Sequence, residues 1–216
     1  RAQQEIDRHT NALNEARSAI ARFVSEQTRQ KVAHGTLEAR RIHTTVMFMD
    51  IRDFSSFADR VSPEDAADLV GKLAAVGFAA VREHQGDVDR LLGDGLLARF
   101  DGESRHERAW RAAEAILSQI EALQPARGVG ISLHDGEVVE AVIEAGDRAD
   151  STILGRTTNI AARICSAARE GEVLASATMP SPPANLRLSE FGCENLQMKG
   201  HSICLAIRRF RLVLLS

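Results

Sequence analysis

Apolar residues follow two different periods along this chain, and glycine, proline or aspartate marks the change from one to the other. Short apolar or alternating runs, typical of strands, lie at residues 44–51, 88–100, 129–133, 138–143, 172–176, 186–190, 195–198 and 203–209. Apolar residues at helical spacing predict helices at residues 62–84, 105–123 and 157–168. Prolines mark an irregular loop at residues 180–183.

Two of the predicted strand pairs follow each other directly and therefore predict hairpins. Residues 88–100 contain two strands joined by Gly93-Asp94-Gly95, because Asp-Gly is a strong signal for a tight turn. We interpret His134-Asp135-Gly136 as a second turn, between the strands at residues 129–133 and 138–143. Helices are interleaved with these hairpins. We therefore predict an α+β fold with a mixed, largely antiparallel sheet flanked by helices.

The helix at residues 62–84 has the clearest start signal in the chain. Ser62 is the expected N-cap, Pro63 occupies the first turn, and acidic residues follow near the positive end of the helix dipole. The residues expected to face the core are Leu69, Val70, Leu73, Val76 and Val81. Trp110 and His134 are assigned to packing, because residues of these types in such positions are usually structural.

Residues 1–32 are polar and contain no glycine or proline. A weak heptad pattern is formed by Ile6, Leu13 and Ile20, with His9, Ala16 and Phe23 three places later. So narrow a stripe favours a coiled coil with a second copy of the chain, whereas the alternative is a solvated amphipathic helix packed on its own domain. We predict an N-terminal coiled-coil helix in a linker of residues 1–41, followed by a globular domain of residues 42–216.

Composition and charge narrow the class of protein further. The chain has 216 residues, of which 44% are hydrophobic and 26% charged, and three are cysteines without metal-ligand spacing. Its net charge of −3 gives no electrostatic case for nucleic-acid binding. The cysteine pattern suits a reducing compartment, so we expect a cytoplasmic domain. Because the chain begins at Arg1, we expect a piece of a longer protein whose upstream part holds a sensor, with or without a membrane anchor.

Two aspartates stand where apolar runs give way to turns. Asp50 follows an apolar strand, and Asp94 lies between two apolar runs with glycine on either side. An unpaired buried charge is costly, so a pair of such carboxylates suggests a site for divalent metal and phosphate. Taken singly, Asp50 is better interpreted as a helix cap or surface turn, and Asp94 as part of a tight hairpin turn. The pair, with its flanking patterns, favours metal.

The residues after Asp50 lead into a predicted short helix. Backbone N–H groups at Phe54 and Ser55 are expected to bind polyphosphate oxygens. A third segment, residues 152–164, places Asn159 and Arg163 one helical turn apart on a common face. Such a pair suits a sugar oxygen and a phosphate, although each residue taken singly is read as an ordinary surface residue.

Five segments, in order, carry a resemblance to the catalytic domain of the class III nucleotidyl cyclases, the family of adenylate and guanylate cyclases. They are FMDIRDFSSF, VDRLLGDGLLARF, GISLHDGEVV, TILGRTTNIAAR and LQMKG, and the resemblance covers residues 42–209. The helix before Gly35 likewise resembles the signalling helix that joins such domains to upstream sensors.

The resemblance implies a ferredoxin-like cyclase fold and a homodimer that converts ATP to 3′,5′-cyclic AMP and pyrophosphate at the subunit interface. In one subunit, Asp50, Asp94 and the Ile51 carbonyl would bind two Mg²⁺ or Mn²⁺ ions per active site. The roles implied for the partner subunit are base recognition by Arg90 and Thr152, ribose orientation by Asn159, transition-state stabilisation by Arg163 and binding of the terminal phosphates by Lys199.

The main departure from the family pattern is Arg90, where adenylate cyclases usually have lysine. Arginine pairs well with guanine acceptors, which keeps a guanylate cyclase open as an alternative. Guanylate cyclases, however, typically have an acid at this position, and Arg90 cannot accept a hydrogen bond, so ATP remains favoured. Asp53, Gly128 and Glu144 also depart from the pattern. They leave a third possibility, a catalytically silent module that binds nucleotide and dimerises.

Overall fold

The computed structural model describes residues 8–11, 13–14, 38–145, 148–197 and 204–213. The described strands are β1 (Arg40–Ile51), β2 (Asp87–Leu92), β3 (Gly95–Asp101), β4 (Val129–Ala145), β5 (Arg148–Leu154), β6 (Val173–Ser176), β7 (Leu188–Gln197) and β8 (Cys204–Leu212). The helices after residue 38 are α1 (Phe54–Ala58), α2 (Pro63–Glu83), α3 (Arg105–Leu123) and α4 (Arg156–Ala167). Most of the predicted coiled coil lies outside the described residues, as does Lys199.

The strands form one mixed sheet, which confirms the predicted α+β class. Its order is β2-β3-β1-β4-β6-β8-β7, and β5 pairs with β4 away from this path. Only the β4–β6 pair among these described strands is parallel. No helix in the described part of the chain is both long and apolar enough to cross a membrane.

Alternation along β1 separates two apolar layers, because successive side chains of a strand point to opposite faces. Met47 and Met49 pack in the main core with residues of α2 and α3. Val46 and Phe48 point to the other face, where Ala161 of α4 covers a smaller cluster. The sheet is thus covered by two long helices on one face and by α4 on part of the other.

Helix α2 begins as its sequence predicts. The Ser62 hydroxyl accepts a hydrogen bond from the backbone N–H of Asp65 at 3.1 Å, and Pro63 is the first helical residue. This cap satisfies a backbone donor that would otherwise lack a helical partner, an effect worth about 1 kcal/mol. The predicted core positions Leu69, Leu73, Val76 and Val81 are buried, while Val70 is half-buried.

The predicted turn at residues 134–136 is wrong, because β4 continues through it as one strand. His134 is buried and its Nδ1 lies 2.7 Å from the Ser176 hydroxyl. Gly136 is required by close packing, since a Cβ there would lie 2.8 Å from the Thr157 hydroxyl oxygen. Buried side-chain partners therefore keep an Asp-Gly pair extended despite its turn preference.

Two further differences concern the strands near the C-terminus and β5. The strands predicted at residues 186–190 and 195–198 are one strand, β7, whose ladder shifts register between Glu190 and Gly192. Strand β5 was not predicted. Trp110 has the expected structural role: it is buried, donates to the Pro180 carbonyl at 3.0 Å and packs edge-on against Phe210.

Candidate active site

Strand pairing brings Asp50 next to the hairpin turn that carries Asp94. Asp50 is opposite Gly95 in the β1–β3 ladder, directly after Asp94 in sequence. A Cβ on Gly95 would lie 3.1 Å from the Met49 carbonyl oxygen and 3.2 Å from Asp50 Oδ1, so the position leaves room for the carboxylate. Gly93 has φ of 66°, a conformation that glycine adopts without strain. The tight turn that carries Asp94 therefore also lies directly beside Asp50 in the sheet.

Arg52 is the cation beside Asp50, and it was not among the site residues predicted from the sequence. Its guanidinium pairs with the Asp50 carboxylate and donates to the carbonyls of Cys165 and Ala168, each at 3.1 Å. A Cβ on Gly130 would lie 3.2 Å from Arg52 Nε, so this glycine makes space for the side chain. Arg52 thus connects one candidate metal ligand to the end of α4. Its position two residues after Asp50 was the only available sequence signal.

The segment after Asp50 turns sharply into the predicted short helix. Ile51 is buried and anchors the end of β1. Asp53 precedes α1 with φ of 54°, a left-handed conformation that explains why glycine suits this position. Phe54 packs against the main core, and Ser55 is exposed at the first turn of α1. Ile51 and Phe54 therefore anchor the backbone of this turn in the core, while the Asp50 side chain stays 39% exposed.

Arg90 and Thr152, from different strands, meet at the carboxylate of Asp89. Arg90 Nε donates to Asp89 Oδ2 at 3.0 Å, and the Thr152 hydroxyl donates to the same oxygen at 2.9 Å. The backbone N–H of Ile153 donates to Asp89 Oδ1 at 3.1 Å. The two residues expected at the base-recognition positions therefore belong to one hydrogen-bonded unit within a single chain, which we call the base end of the site.

Asp89 was missed because its position depends on an irregularity in the β2–β3 ladder. Val88 and Arg90 pair with adjacent residues of β3, so Asp89 is an extra residue without a partner on that strand. Such bulges redirect a side chain, and they have no reliable sequence signal. Burial raises the pKa of the Asp89 carboxyl above its usual value, against the opposing hydrogen bonds from Thr152 and Arg90. A carboxylate that remains this costly to ionise is typical of a functional site.

Helix α4 presents Asn159 and Arg163 on its exposed side, one turn apart as predicted. Ala161 and Ile164 on its inner side are buried against the sheet. The two polar side chains therefore face away from the chain's own core.

The donor set at Asp50 and Asp94 fits a phosphate-bound divalent ion, which usually takes only one or two protein carboxylates. Within the described ranges, no group of three or more His, Cys, Asp or Glu side chains is placed to bind a metal ion. A divalent ion held by Asp50 and Asp94 would need further oxygen ligands, such as those of a bound phosphate, to complete its coordination.

Comparison with known proteins agrees with this geometry. Residues 38–203 match the family model of the adenylate and guanylate cyclase catalytic domain. Adenylate cyclase 1 of Rhizobium meliloti is 30% identical over 179 residues, which cover 74% of this chain and 27% of that protein. The chain thus spans about a quarter of the length of this relative. It belongs to the adenylate and guanylate cyclase catalytic domain family.

Solved structures of both kinds of cyclase share the fold. A bacterial light-regulated adenylyl cyclase superimposes with a TM-score of 0.75 at 19% identity, covering 95% of this chain and 64% of that one. The guanylyl cyclase Cya2 gives a TM-score of 0.66 at 23% identity, covering 80% of this chain and 92% of that one. Domains of this family generally use divalent metal ions, bind nucleotides and are typically dimeric. The chain is therefore a class III cyclase domain.

Proposed function

We propose that this chain is an adenylate cyclase that converts ATP to 3′,5′-cyclic AMP and pyrophosphate in a homodimer. The observation that carries the proposal is that the fold brings together two pairs of residues that a nucleotide site would use. Asp50 lies beside the Asp94 turn, and Arg90 lies with Thr152 at the base end. A site for metal and phosphate together with a polar site for a base is what a nucleoside triphosphate requires.

Asp50 and Asp94, with the Ile51 carbonyl, would hold two Mg²⁺ or Mn²⁺ ions. Bound there, the ions would supply positive charge to the attacking and departing oxygens of the displacement. Arg52 now pairs with Asp50, so the carboxylate has to exchange this partner for metal. Backbone N–H groups at Phe54 and Ser55 are available to the phosphates in the same turn.

The remaining steps fall to side chains that would come from the partner subunit. The ribose 3′ hydroxyl loses its proton to solvent and its oxygen bonds to the α-phosphorus. The bond from that phosphorus to the α,β-bridging oxygen breaks and pyrophosphate leaves, with negative charge redistributed over the phosphate oxygens. Arg163 would stabilise that charge, and Asn159 would orient the ribose. Lys199, outside the described residues, would bind the terminal phosphates. Arg90 and Thr152 would contact the adenine.

A shared site agrees with the surface of the chain. Asn159 and Arg163 are exposed, as side chains serving another subunit would be before assembly. Leu91, Leu92 and Leu154, which flank the base end in sequence, are 49%, 45% and 44% exposed. Exposed leucines at these positions would be covered if a partner subunit packed beside the base end.

We further propose that residues 1–41 form a helical signalling and dimerisation linker and residues 42–216 the catalytic domain. The family match, which begins at residue 38, is close to this boundary. An upstream sensor in the same polypeptide would act through this linker.

A guanylate cyclase is the second candidate, because Arg90 presents a planar donor that suits guanine oxygen. A silent module has less support. A Cβ on Gly128 would lie 2.6 Å from the Glu170 side chain, so this departure from the family pattern has a packing reason. Asp53 adopts the required left-handed conformation without glycine.

The first experiment measures cyclic nucleotide and pyrophosphate from the purified chain with Mn²⁺, offering ATP and GTP in parallel. We expect cyclic AMP from ATP, and a loss of about a hundredfold or more in the Asp94→Ala variant. Thermal unfolding of the variant is the control, because residue 94 is in a solvent-facing turn and its replacement should leave the fold intact. Cyclic GMP as the main product would instead support the second candidate.

A shared site also predicts complementation between two inactive variants. Asp50→Ala and Arg163→Ala chains should each be inactive alone. Mixed and re-equilibrated in equal amounts, they should recover about a quarter of the parent activity, since half of the dimers then carry one intact site of two. Absence of recovery, with heterodimers demonstrated, would place the whole site within one subunit.

A further inference from the structure

We infer that Asp89 selects adenine over guanine by fixing the direction of the Thr152 hydroxyl. This inference rests on the proposed function and deepens it. It makes Asp89 a positioning residue, because it acts through Thr152 and Arg90 and does not itself contact the base.

The hydrogen bonds of Asp89 leave little freedom for its neighbours. The Asp89 side chain is only 7% exposed, and it accepts from Arg90, Thr152 and the Ile153 backbone. An ionised carboxylate can only accept hydrogen bonds. Every group that faces Asp89 must therefore turn a donor toward it.

This requirement decides where the Thr152 hydroxyl directs its proton. A hydroxyl has one proton and two lone pairs. The Thr152 proton is directed to Asp89 at 2.9 Å, whereas the other acceptor within reach, the Ile153 carbonyl, is at 3.4 Å. With its proton engaged, Thr152 Oγ1 offers only lone pairs to a ligand. Arg90 has only donors to offer.

A base bound against these two side chains meets one acceptor and one donor. Adenine matches this pair, because its N6 amino group donates and its adjacent ring nitrogen N1 accepts. Guanine has the O6 acceptor where adenine has the amino donor. In the same orientation, guanine O6 would face the lone pairs of Thr152, and the hydrogen bond would be replaced by repulsion between acceptors.

Asp89→Asn tests this polarity with almost no change in shape. The amide oxygen can remain on the Ile153 N–H, which turns the NH₂ group toward Thr152 and takes away the oxygen that accepts from Arg90 Nε. The hydroxyl would then accept from the amide and become free to donate to a guanine oxygen. We expect the ratio of kcat/KM for ATP to that for GTP to fall by at least about tenfold.

A binding measurement supplies a readout that does not depend on turnover. Non-cyclisable ATP and GTP analogues should compete against a fluorescent ATP analogue with the same shift in preference. Asp68→Asn is the matched control, since Asp68 is 61% exposed and pairs only with Lys72 on the surface of α2 among the ion pairs described. Its ATP-to-GTP ratio should equal that of the parent chain.

Two variants of Thr152 distinguish a change in nucleotide preference from a general weakening of nucleotide binding. Thr152→Ser keeps the hydroxyl and should keep the parent ratio, whereas Thr152→Val should lower it. In the Thr152→Val background, Asp89→Asn should have no further effect on the ratio. Loosening of β5 would reduce binding of both nucleotides together and leave the ratio unchanged.

Different experimental results would contradict the role inferred for Asp89 and the function proposed for the chain. A parent chain that binds neither nucleotide contradicts both. A parent chain that prefers GTP while Asp89 is intact contradicts the inference, as does an unchanged ratio in folded Asp89→Asn. A shift that persists at full size in the Thr152→Val background would show that Asp89 acts by another route.

Discussion

Asp89 and Asp135 are both 7% exposed, yet their surroundings have opposite effects on their ionisation. The pKa of Asp89 is raised because burial outweighs its hydrogen bonds. Burial acts in the same direction on Asp135, but hydrogen bonds from Arg105, His43 and Thr45 outweigh it and lower the pKa to about 2. Equal exposure therefore says little about the state of a buried carboxylate.

The partners of Asp135 explain the difference. Arg105 Nε donates to Asp135 Oδ1 at 2.8 Å, the Thr45 hydroxyl donates at 2.9 Å, and His43 Nε2 lies 2.6 Å away. These groups belong to α3 and β1, so one carboxylate on β4 ties three elements together. Asp89, in contrast, pairs with one cation, Arg90, among the ion pairs of the described residues, and lies at the base end.

The comparison separates a structural carboxylate from a functional one. A buried carboxylate whose hydrogen bonds outweigh the cost of burial stabilises the fold as long as all its partners are present. A buried carboxylate whose pKa stays raised despite its hydrogen bonds contributes less to stability, and groups of this kind are common at functional sites. By this criterion, Asp135 is placed to hold the fold, whereas the role we propose for Asp89 is to orient side chains at the base end.

The largest expected effect on stability is that of Asp135→Ala. Removing the carboxylate leaves Arg105 of α3 and Thr45 of β1 without their shared partner on β4. We therefore expect a loss of about 2–4 kcal/mol in the free energy of unfolding. Urea denaturation followed by circular dichroism measures it. A loss below about 0.5 kcal/mol, the range of neutral surface changes, would contradict the structural role.

The second prediction concerns pH. Asp135 keeps its charge in the folded chain where the same group is protonated in the unfolded chain. Its contribution is therefore present above the ordinary aspartate pKa of 3.8 and is lost as pH falls toward about 2. Burial lowers the pKa of His134 to about 4, so that residue contributes in a separate window, losing stability as pH falls from about 6.5 to 4. The difference in urea midpoint between the parent and Asp135→Asn should shrink only below pH 4.

The smallest expected effect is that of Asp89→Asn on stability at pH 7. The raised pKa means that ionisation of Asp89 opposes folding, and any benefit of its protonated form is lost as pH rises above that pKa. Arg90 is 33% exposed, so its charge reaches water when the carboxylate is removed. We expect a change within about 1 kcal/mol. A loss equal to that of Asp135→Ala would remove the distinction between the two residues.

Local signals in the sequence predicted the features that depend on local chemistry. Ser62 and Pro63 start α2, the glycines around Asp94 form the hairpin turn, and Asn159 with Arg163 share one face of α4. In each case the determining residues are within four positions of one another. The family resemblance, based on five ordered segments, predicted the fold as a whole.

The features that sequence reasoning missed depend on residues far apart in the chain. Asp135 stays extended because Arg105 and Thr45 bind it, and neither is near it in sequence. Asp89 is important because a ladder irregularity aims it at Thr152 on another strand. Arg52 pairs with Asp50 and reaches the end of α4. No local pattern encodes such partners.

Strand β1 also limits how a mechanical signal can travel. It is hydrogen-bonded to β4 from Arg40 to Ile51 and to β3 from Thr44 to Asp50. Sliding β1 by one residue would break both ladders and turn Asp50 to the opposite face of the sheet. A pull or twist arriving at Arg40 can therefore tilt the sheet as a rigid body, but it cannot draw Asp50 away from Asp94. Control of such a domain would work by orientation, with the spacing of its carboxylates held constant.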